Sequence, residues 1–515
     1  MRGKVTSWLT TVDHKRVGAL YVGTSLVFLL LGGVLALFLR AQVTTPNEDF
    51  LGAKSYAQVL TLHATTMIYL FTLPIFVGLG SHLAPLLIGA RNVAFPRLNA
   101  LSYWLFLLGG VVLFSSFMAK GGPATDLSAS APGNGVTLLI LSLLILSLSA
   151  ILAAINLVVT VKHLRVTGMT WPRTPLFVWS MFVYSALLLL IVPVFAATLT
   201  MLLLDREGGT HFFTHGGGAA LYQHAFWFLG RPEVYILLLP AIGIVSEVLP
   251  VFSGRPIHCF AWVAYSLVAL GCLFLLVWAH RTFVVGIHGY VHVALIVAAV
   301  AIGAIVVVLY ADWLATIWHG GVRFDSPLLY ALGFLFLFAV GCLSRLAVAI
   351  FSLHGSAEVT AHLHYTVYGS ALFAILAGLH YWWPKVYGRL LDEGLAKASF
   401  WLLFAGFNIA FFFEYLLGRL GMQSGTSTYA QGGHWESYNV VSTVGSGVMA
   451  VGIIVLLVNV FRTHPRAGND PWHGDTLEWY TSSPPPEHDF DAVPPVSSPR
   501  PLYDPRRRLE ESGAR

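Results

Sequence analysis

Long apolar runs recur along the whole chain, separated by short connections that contain glycine, proline or charged residues. A helix needs about 20 apolar residues to cross the ~30 Å hydrocarbon core of a bilayer. Runs of that length occur about twelve times. The pattern predicts membrane spans near residues 17–39, 58–80, 100–118, 136–160, 177–203, 226–250, 260–281, 290–316, 328–351, 361–383, 397–418 and 440–462.

The composition supports an integral membrane protein. The chain is 57% hydrophobic and only 10% charged, with a mean hydropathy of +0.74. These values lie far outside the range of soluble globular domains. The pI of about 9.0 follows from the arrangement of lysine and arginine around the spans, and we expect no nucleic-acid partner.

The cationic residues predict the orientation. Cytoplasmic loops carry an excess of lysine and arginine, and most of the cations here fall on one side of the predicted spans. We therefore expect a multi-pass protein of the cell (cytoplasmic) membrane with both termini cytoplasmic. The residues on that side are Lys4, Lys15, Arg16, Arg91, Arg97, Lys162, Arg165, Arg173, Arg255, Arg323, Lys385, Arg389, Arg462 and Arg466.

The composition changes near the C-terminus, which predicts two parts: a transmembrane domain at 1–465 and a proline-rich cytoplasmic tail at 466–515. The tail contains three consecutive prolines, 484–486, and three consecutive arginines, 506–508. Such composition is typical of an extended or partly disordered segment. Trp472 and Trp479 leave open whether this tail docks on partner subunits or stays unbound.

Three histidines form the most informative pattern. His362 and His364 are two residues apart on a predicted helix, so their side chains point about 200° apart and each can face a different cofactor. His63 lies at a similar depth in the second span. Neutral imidazole is a common ligand of heme iron, so His63 with one of the pair predicts a six-coordinate heme, and the other histidine a five-coordinate one. The same outer third of the membrane also holds Arg231, Glu233, Tyr235, His280 and Arg281.

The motifs around these histidines resemble subunit I of the heme-copper oxidases, of the cytochrome c oxidase type, over essentially the whole chain. The resemblance implies an all-α membrane bundle of about twelve helices. The matching stretches are TVDHKR (11–16), TLHAT (61–65), AFPRLN (94–99), FWFLG (226–230), PEVY (232–235), VWAH (277–280), WLAT (313–316), GFLFLFAVG (333–341), AHLHY (361–365), TLEW (476–479) and SPPP (483–486).

The resemblance also implies roles for individual residues. His63 and His364 would be the axial ligands of a low-spin heme, and His362 the proximal ligand of a second heme. Trp227 and the propionate-side His354 stand at further cofactor positions. At catalytic positions the family has a mid-membrane proton donor, here Glu233, and a tyrosine, here Tyr235. Implied partners are a subunit II-like copper or cytochrome electron donor, other oxidase-like subunits and membrane lipid.

The family's copper site is degenerate in this chain. Where the family places three histidines, this sequence has Arg231, His280 and Arg281. A guanidinium has no lone pair to donate and repels Cu²⁺, so we expect copper to be absent. Proton-channel positions of the family are also changed, to Leu309 and Asn92.

Three functions therefore remain open. The first is an electron-transfer protein with two hemes in which the usual reduction of O2 is impaired. The second is a heme-binding electron-transfer or assembly subunit without oxidase activity, or a heme sensor for an anion or diatomic ligand. The third is an active cytochrome c oxidase with a non-standard site.

Overall fold

Helices make up almost all the regular structure, and no strand occurs in the described part of the chain. The computed structural model describes residues 2–48, 50–119, 122, 133–214, 218, 221–222, 225–226, 228, 236–282, 289–318, 320–350, 356–462 and 465–511. The longer helices are α1 (Arg2–Leu9), α2 (His14–Gln42), α3 (Ala53–Thr65), α4 (Leu73–Ile88), α5 (Pro96–Met118), α6 (Asn134–His163), α7 (Leu176–Glu207), α8 (Leu238–Ser253), α9 (Phe260–Thr282), α10 (Gly289–Trp318), α11 (Ser326–Ile350), α12 (Ala357–Leu363), α13 (Ser370–Tyr387), α14 (Glu393–Arg419), α15 (Trp435–Phe461) and α16 (Tyr503–Glu511).

The predicted membrane spans coincide with these helices. Among the described residues, nine helical segments are long and apolar enough to cross a membrane, and α8 and α9 contain shorter apolar stretches. The remaining predicted span, 361–383, falls on α12, α13 and the π-helical segment between them. The prediction of an all-α membrane protein is confirmed. Part of the sixth predicted span, 226–250, lies outside the described residues.

Two of these spans contain a short π-helical segment. A π-helical segment, Thr66–Thr72, joins α3 to α4, and another, His364–Gly369, joins α12 to α13. At the end of each segment a side-chain hydroxyl donates to the backbone carbonyl five residues earlier. The Thr72 hydroxyl donates to the carbonyl of Met67 at 2.8 Å, and the hydroxyl of Ser370, the residue after the second segment, donates to that of Tyr365 at 2.6 Å. These bonds follow the wider π-helical repeat, which the apolar pattern does not predict.

Glycines allow the first two spans to approach closely. A Cβ atom added to Gly18 would lie 2.7 Å from the carbonyl oxygen of Gly78 and 2.7 Å from the Cβ of His82. Apolar side chains gain little by leaving lipid for a protein interior, so helices in membranes associate through close backbone packing at small residues. The contact fixes α2 against α4, and α4 continues the span that carries His63.

The C-terminal segment packs on the helix bundle. Trp479 donates to the Tyr381 hydroxyl at 2.8 Å, and the buried carboxylate of Asp489 lies 2.6 Å from the ammonium of Lys15. Leu477, Phe490 and other apolar side chains of the segment are also buried. Residues 465–511 differ from the expected extended or partly disordered tail, because their aromatic and charged side chains find partners on α2 and α13. Docking of this segment on partner subunits stays a prediction.

Candidate functional site

His63 and His364 line one cavity between α2, α3, α12 and α14. The cavity walls are largely apolar, with Leu39, Leu417 and Phe411 among them. The His364 ring stacks on Phe411, with ring centroids 4.1 Å apart and planes 17° apart. Two helices that are distant in the sequence thus bring two imidazoles to a shared apolar space.

The hydrogen bonds of these two imidazoles determine which nitrogen can bind a metal. His63 Nδ1 lies 2.9 Å from the carbonyl oxygen of Gly32, and His364 Nδ1 lies 2.8 Å from that of Thr360. A carbonyl only accepts, so each Nδ1 carries the hydrogen and each Nε2 of the neutral ring carries the lone pair. A backbone carbonyl that orients the ring in this way is typical of metal-ligating histidine.

His362 faces a different side of its helix. Its Nδ1 lies 3.1 Å from the carbonyl oxygen of Gly341 and 3.0 Å from the hydroxyl of Ser344, both on α11. It is buried and is not among the residues that line the cavity of His63 and His364. The i and i+2 spacing thus separates the two imidazoles: His364 contacts α14 and His362 contacts α11.

Both π-helical segments lie next to these histidines. One begins three residues after His63, and the other begins at His364 itself. π-Helical turns are rare in proteins and occur frequently at functional sites. The local widening of the helix is therefore a second, independent sign that this cavity is a built site.

A hydrogen bond to a carbonyl does not by itself make a histidine a ligand. His380 Nδ1 bonds the carbonyl of Leu376 at 2.7 Å, the same four-residue spacing as in His364, and the ring packs 4.8 Å from Tyr330. His82 Nδ1 bonds the carbonyl of Lys15 at 2.9 Å. Neither ring lines the cavity. We interpret these two as structural histidines, and the shared cavity is what distinguishes His63 and His364.

Two charged residues in the same cavity were missed at the sequence level. Arg40 and Glu414 both line it. Arg40 donates through Nη2 to the carbonyl and side-chain oxygens of Asn439, at 3.1 and 3.2 Å, whereas its buried Nε has no partner in the described structure. Ionisable residues inside apolar spans are costly and mark functional sites, which is the signal that would have found them.

The arrangement fits a planar macrocycle with a central metal. His63 and His364 would hold the metal of such a group through Nε2, the apolar walls would surround the group, and the buried Arg40 Nε would offer a donor to a polar substituent. Polar side chains of Gln423, Ser424 and Thr426 also line the cavity. A heme is a group that this donor set and these apolar surroundings would suit.

The other predicted site residues, or their side chains, lie outside the part of the chain that the structure describes. Trp227, Arg231, Glu233, Tyr235 and His354 lie outside the described residues. His280 and Arg281 fall on the last turns of α9, but their side chains also lie outside the description. Across the described residues, no group of three or more histidine, cysteine or acidic side chains could hold a metal ion. At the level of sequence, Arg231 and Arg281 do not fit the family's copper ion.

Comparisons with known proteins agree with the fold and identify the family. Residues 16–448 match the family described as Cytochrome C and Quinol oxidase polypeptide I. The chain is 41% identical to cytochrome c oxidase subunit 1 of Bacillus subtilis (strain 168), over 96% of this chain and 82% of the relative. It is 40% identical to a putative cytochrome c oxidase subunit 1-beta of Streptomyces coelicolor, over 96% of this chain and 90% of the relative.

The fold is similar to that of a heme-copper terminal oxidase dimer solved by cryo-EM. The TM-score is 0.72 at 17% sequence identity, with 96% of this chain and 89% of the other covered. At that identity the likeness concerns the fold.

Proposed function

The chain belongs to the Cytochrome C and Quinol oxidase polypeptide I family, and from this premise we propose that it is a respiratory electron-transfer subunit that takes electrons into a bis-histidine heme on His63 and His364. The shared cavity of these two side chains carries the proposal. Each ring is oriented by a backbone carbonyl, so each presents a nitrogen with a lone pair to a metal. A heme held in this way supplies one-electron redox chemistry in an apolar surrounding.

A second heme on His362 is part of the proposal. The contacts of His362 with Gly341 and Ser344 fix the ring on the side of the helix opposite to His364. A heme with one histidine ligand leaves a position at which a small molecule can bind. The sequence places Arg231 and Arg281 at the family positions that face this site.

We further propose that the family's copper ion is absent. Removing two of three imidazole ligands leaves only His280, and two guanidinium groups repel a divalent cation. Reduction of O2 by the usual heme-copper route is then impaired. The same arginines favour a second candidate function, binding of an anion or diatomic molecule at the heme of His362, because cations stabilise a bound anion.

The remaining parts of the proposal concern the surroundings of the chain. The excess of lysine and arginine on one side supports a cell-membrane protein with both termini in the cytoplasm. Electrons would come from a subunit II-like copper or cytochrome protein, and further oxidase-like subunits would complete the complex. The family resemblance supports both expectations.

Metal and heme analysis of the purified membrane complex tests the proposal. We expect two hemes per chain, copper below one equivalent in this subunit, and a carbon monoxide difference spectrum of the reduced protein from one heme only. Stoichiometric copper bound to this chain would overturn the copper-free interpretation and support an oxidase with non-standard ligands. One heme without carbon monoxide binding would contradict the second heme.

A gain-of-function variant makes the copper test sharper. Arg231→His combined with Arg281→His restores the histidine set that the family uses. We expect this double variant to bind about one copper ion where the parent binds none, because three imidazoles satisfy the ligand preference of copper. The matched control is Arg323→His, a substitution of the same kind outside the proposed site, which should leave the copper content unchanged.

A further inference from the structure

A second, unassigned cavity of about 520 Å³ opens where the C-terminal helix α16 meets the ends of α8, α9 and α10. Its volume lies in the ~300–1,000 Å³ range of ligand sites. Three basic side chains line it, Arg255, His258 and Arg507, together with Tyr503 and Thr316. These residues come from three separate parts of the sequence, so the cavity exists only when the C-terminal segment is docked.

Local contacts fix the two segments that carry Arg255 and Arg507. Gly254, with φ +62°, ends α8 in the left-handed conformation and directs the chain to Arg255. At the other wall, Arg506 anchors α16 by an ion pair with Asp470 at 3.6 Å and a hydrogen bond to the carbonyl of Gly474. Arg507 is the next residue on this short helix and lines the cavity instead.

The floor of the cavity is also ordered. The backbone N–H of His258 donates to the Thr316 hydroxyl at 2.9 Å, and that hydroxyl donates to the carbonyl of Asp312 at 2.8 Å. The Asp312 carboxylate is buried and accepts from the backbone N–H of Cys259 at 2.6 Å, and it is not among the lining residues. The titratable side chains that line the cavity are therefore Arg255, His258, Arg507 and Tyr503, with no carboxylate among them.

Exposed apolar side chains stand beside this cavity on both flanking helices. Trp262 and Tyr265 of α9 are 52% and 66% exposed, and Leu314 and Trp318 of α10 are 55% and 87% exposed. The His258 ring contacts Trp262, with centroids 6.2 Å apart. Tryptophan and tyrosine concentrate at the level of lipid headgroups, so this cavity lies where a headgroup would be.

We propose that the cavity binds the headgroup of an anionic phospholipid, with the acyl chains against the exposed faces of α9 and α10. Arginine binds phosphate oxygens with paired N–H donors, and Arg255 and Arg507 bring two guanidinium groups to one cavity from separate segments of the chain. The adjoining aromatic and aliphatic surface explains why the ligand is a lipid rather than inorganic phosphate, which has no apolar part. Juxtamembrane basic residues attract anionic lipids in general, and here the cavity makes the contact specific.

Native mass spectrometry of the purified complex tests this site. The complex is delipidated and titrated with dioleoylphosphatidylglycerol, dioleoylphosphatidylcholine or inorganic phosphate. We expect one phosphatidylglycerol to be retained in preference to phosphatidylcholine, and inorganic phosphate not to displace it. Arg255→Gln combined with Arg507→Gln should bind this lipid at least about tenfold more weakly.

The matched control is Arg508→Gln, which removes the same charge from α16 at an exposed position that does not line the cavity. It should retain the lipid as the parent does. If the double variant fails to fold, the single variants test each wall separately, and each should weaken binding. Equal retention of phosphatidylcholine, displacement by phosphate alone, or unchanged binding in the cavity variants would each overturn the proposal.

Discussion

His63 and His364 reach one cavity from helices almost three hundred residues apart in the sequence, and a backbone carbonyl fixes each ring in the same tautomer. Gly32 provides the carbonyl for the first and Thr360 for the second. The Gly32 carbonyl belongs to α2, so the first span orients the His63 ring of the second. The packing of α2 against α3 and α4 therefore determines where the His63 ring points, and a change far from the ring can move it.

The two histidines should be equivalent in their effect on bound heme. We expect His63→Phe and His364→Phe each to abolish the same low-spin spectral component, because either loss leaves the iron with one protein ligand. His362→Phe should instead abolish carbon monoxide binding and leave the low-spin component. Reduced-minus-oxidised and carbon monoxide difference spectra of the three variants measure this.

His380→Phe is the matched control for these variants. His380 has the same Nδ1 bond to the carbonyl four residues earlier as His364 and is buried, but it does not line the cavity. Its variant should keep both hemes and lose only some thermal stability, about 0.5–1.5 kcal/mol for the hydrogen bond. Loss of the low-spin component in His380→Phe as well would mean that the spectra report general misfolding.

The parts of the site that depend on residue types and their spacing could be predicted from the sequence. The two-residue spacing of His362 and His364 indicated opposite directions, and the structure places their rings against α11 and α14. The π-helical segments were not predictable, because a hydrophobicity pattern does not reveal a single wider turn. Arg40 and Glu414 were missed because the cations were used for orientation and single acids within spans were not tested as site residues.

The contact between Gly18 and Gly78 should be essential for the packing of the first two spans. A methyl group at position 78 would lie 2.6 Å from the Tyr21 Cβ and 3.0 Å from the Gly18 carbonyl oxygen, so backbone must move. We expect Gly78→Ala to destabilise the protein by about 1–3 kcal/mol and to lower the thermal unfolding midpoint. Because α2 carries Gly32, the low-spin heme should also be lost at lower temperature.

Gly23→Ala, on the partner helix α2, provides the control for this substitution. A Cβ at that position meets no atom within 4 Å. The change adds the same methyl group without a clash and slightly favours the helix. Its unfolding midpoint should equal or exceed that of the parent, and a matching loss in both variants would contradict the packing argument.

The fold was predictable from the lengths of the apolar runs, whereas the C-terminal segment was not. Proline and charge in this segment resemble a disordered tail when they are counted as composition. Composition does not show that Asp489 meets Lys15 or that Trp479 meets Tyr381, since these pairs are separated by 474 and 98 residues. Long-range pairing of this kind is decided by tertiary contacts and leaves no local pattern.

The ion pair of Asp489 should hold the C-terminal segment on the bundle. Its carboxylate is completely buried and bonds the Lys15 ammonium at 2.6 Å and His14 Nε2 at 2.8 Å. Breaking a buried ion pair costs up to about 3–5 kcal/mol, and here Lys15 would keep only the partly exposed Asp13 carboxylate at 3.3 Å as an ion-pair partner. We expect Asp489→Asn to release the segment, detected as faster tryptic cleavage within residues 500–508.

Asp491→Asn removes the same charge two residues later, at an exposed position. Its cleavage rate should equal that of the parent. Equal protection of Asp489→Asn would show that the aromatic contacts of Trp479 and Phe490 hold the segment without the ion pair.

Glu478 should make the stability of the docked C-terminal segment depend on pH. Burial raises the pKa of this carboxyl to about 7 from its usual 4.5, although hydrogen bonds from Thr476 and Trp382 to Oε1 favour the charged form. The folded protein therefore binds this proton more tightly than the unfolded chain. The contribution of Glu478 to the free energy of unfolding is highest below about pH 4.5. It falls as the pH rises between about 4.5 and 7, and it is constant above that range. The difference amounts to roughly 3 kcal/mol.

Glu478→Gln should remove this dependence, because an amide has no proton to lose and its oxygen accepts the same two hydrogen bonds. We expect the variant to be more stable than the parent at pH 8 and closer to it at pH 5, measured as thermal unfolding midpoints in detergent. Asp475, whose pKa burial raises from 3.8 to about 6, adds a fall in stability of the same sign at lower pH in parent and variant alike, so the slope of Glu478 is read between about pH 6 and 7. Glu487→Gln, at an exposed position of the same segment, should follow the parent throughout. A steep slope that persists in Glu478→Gln would assign the pH dependence to another group.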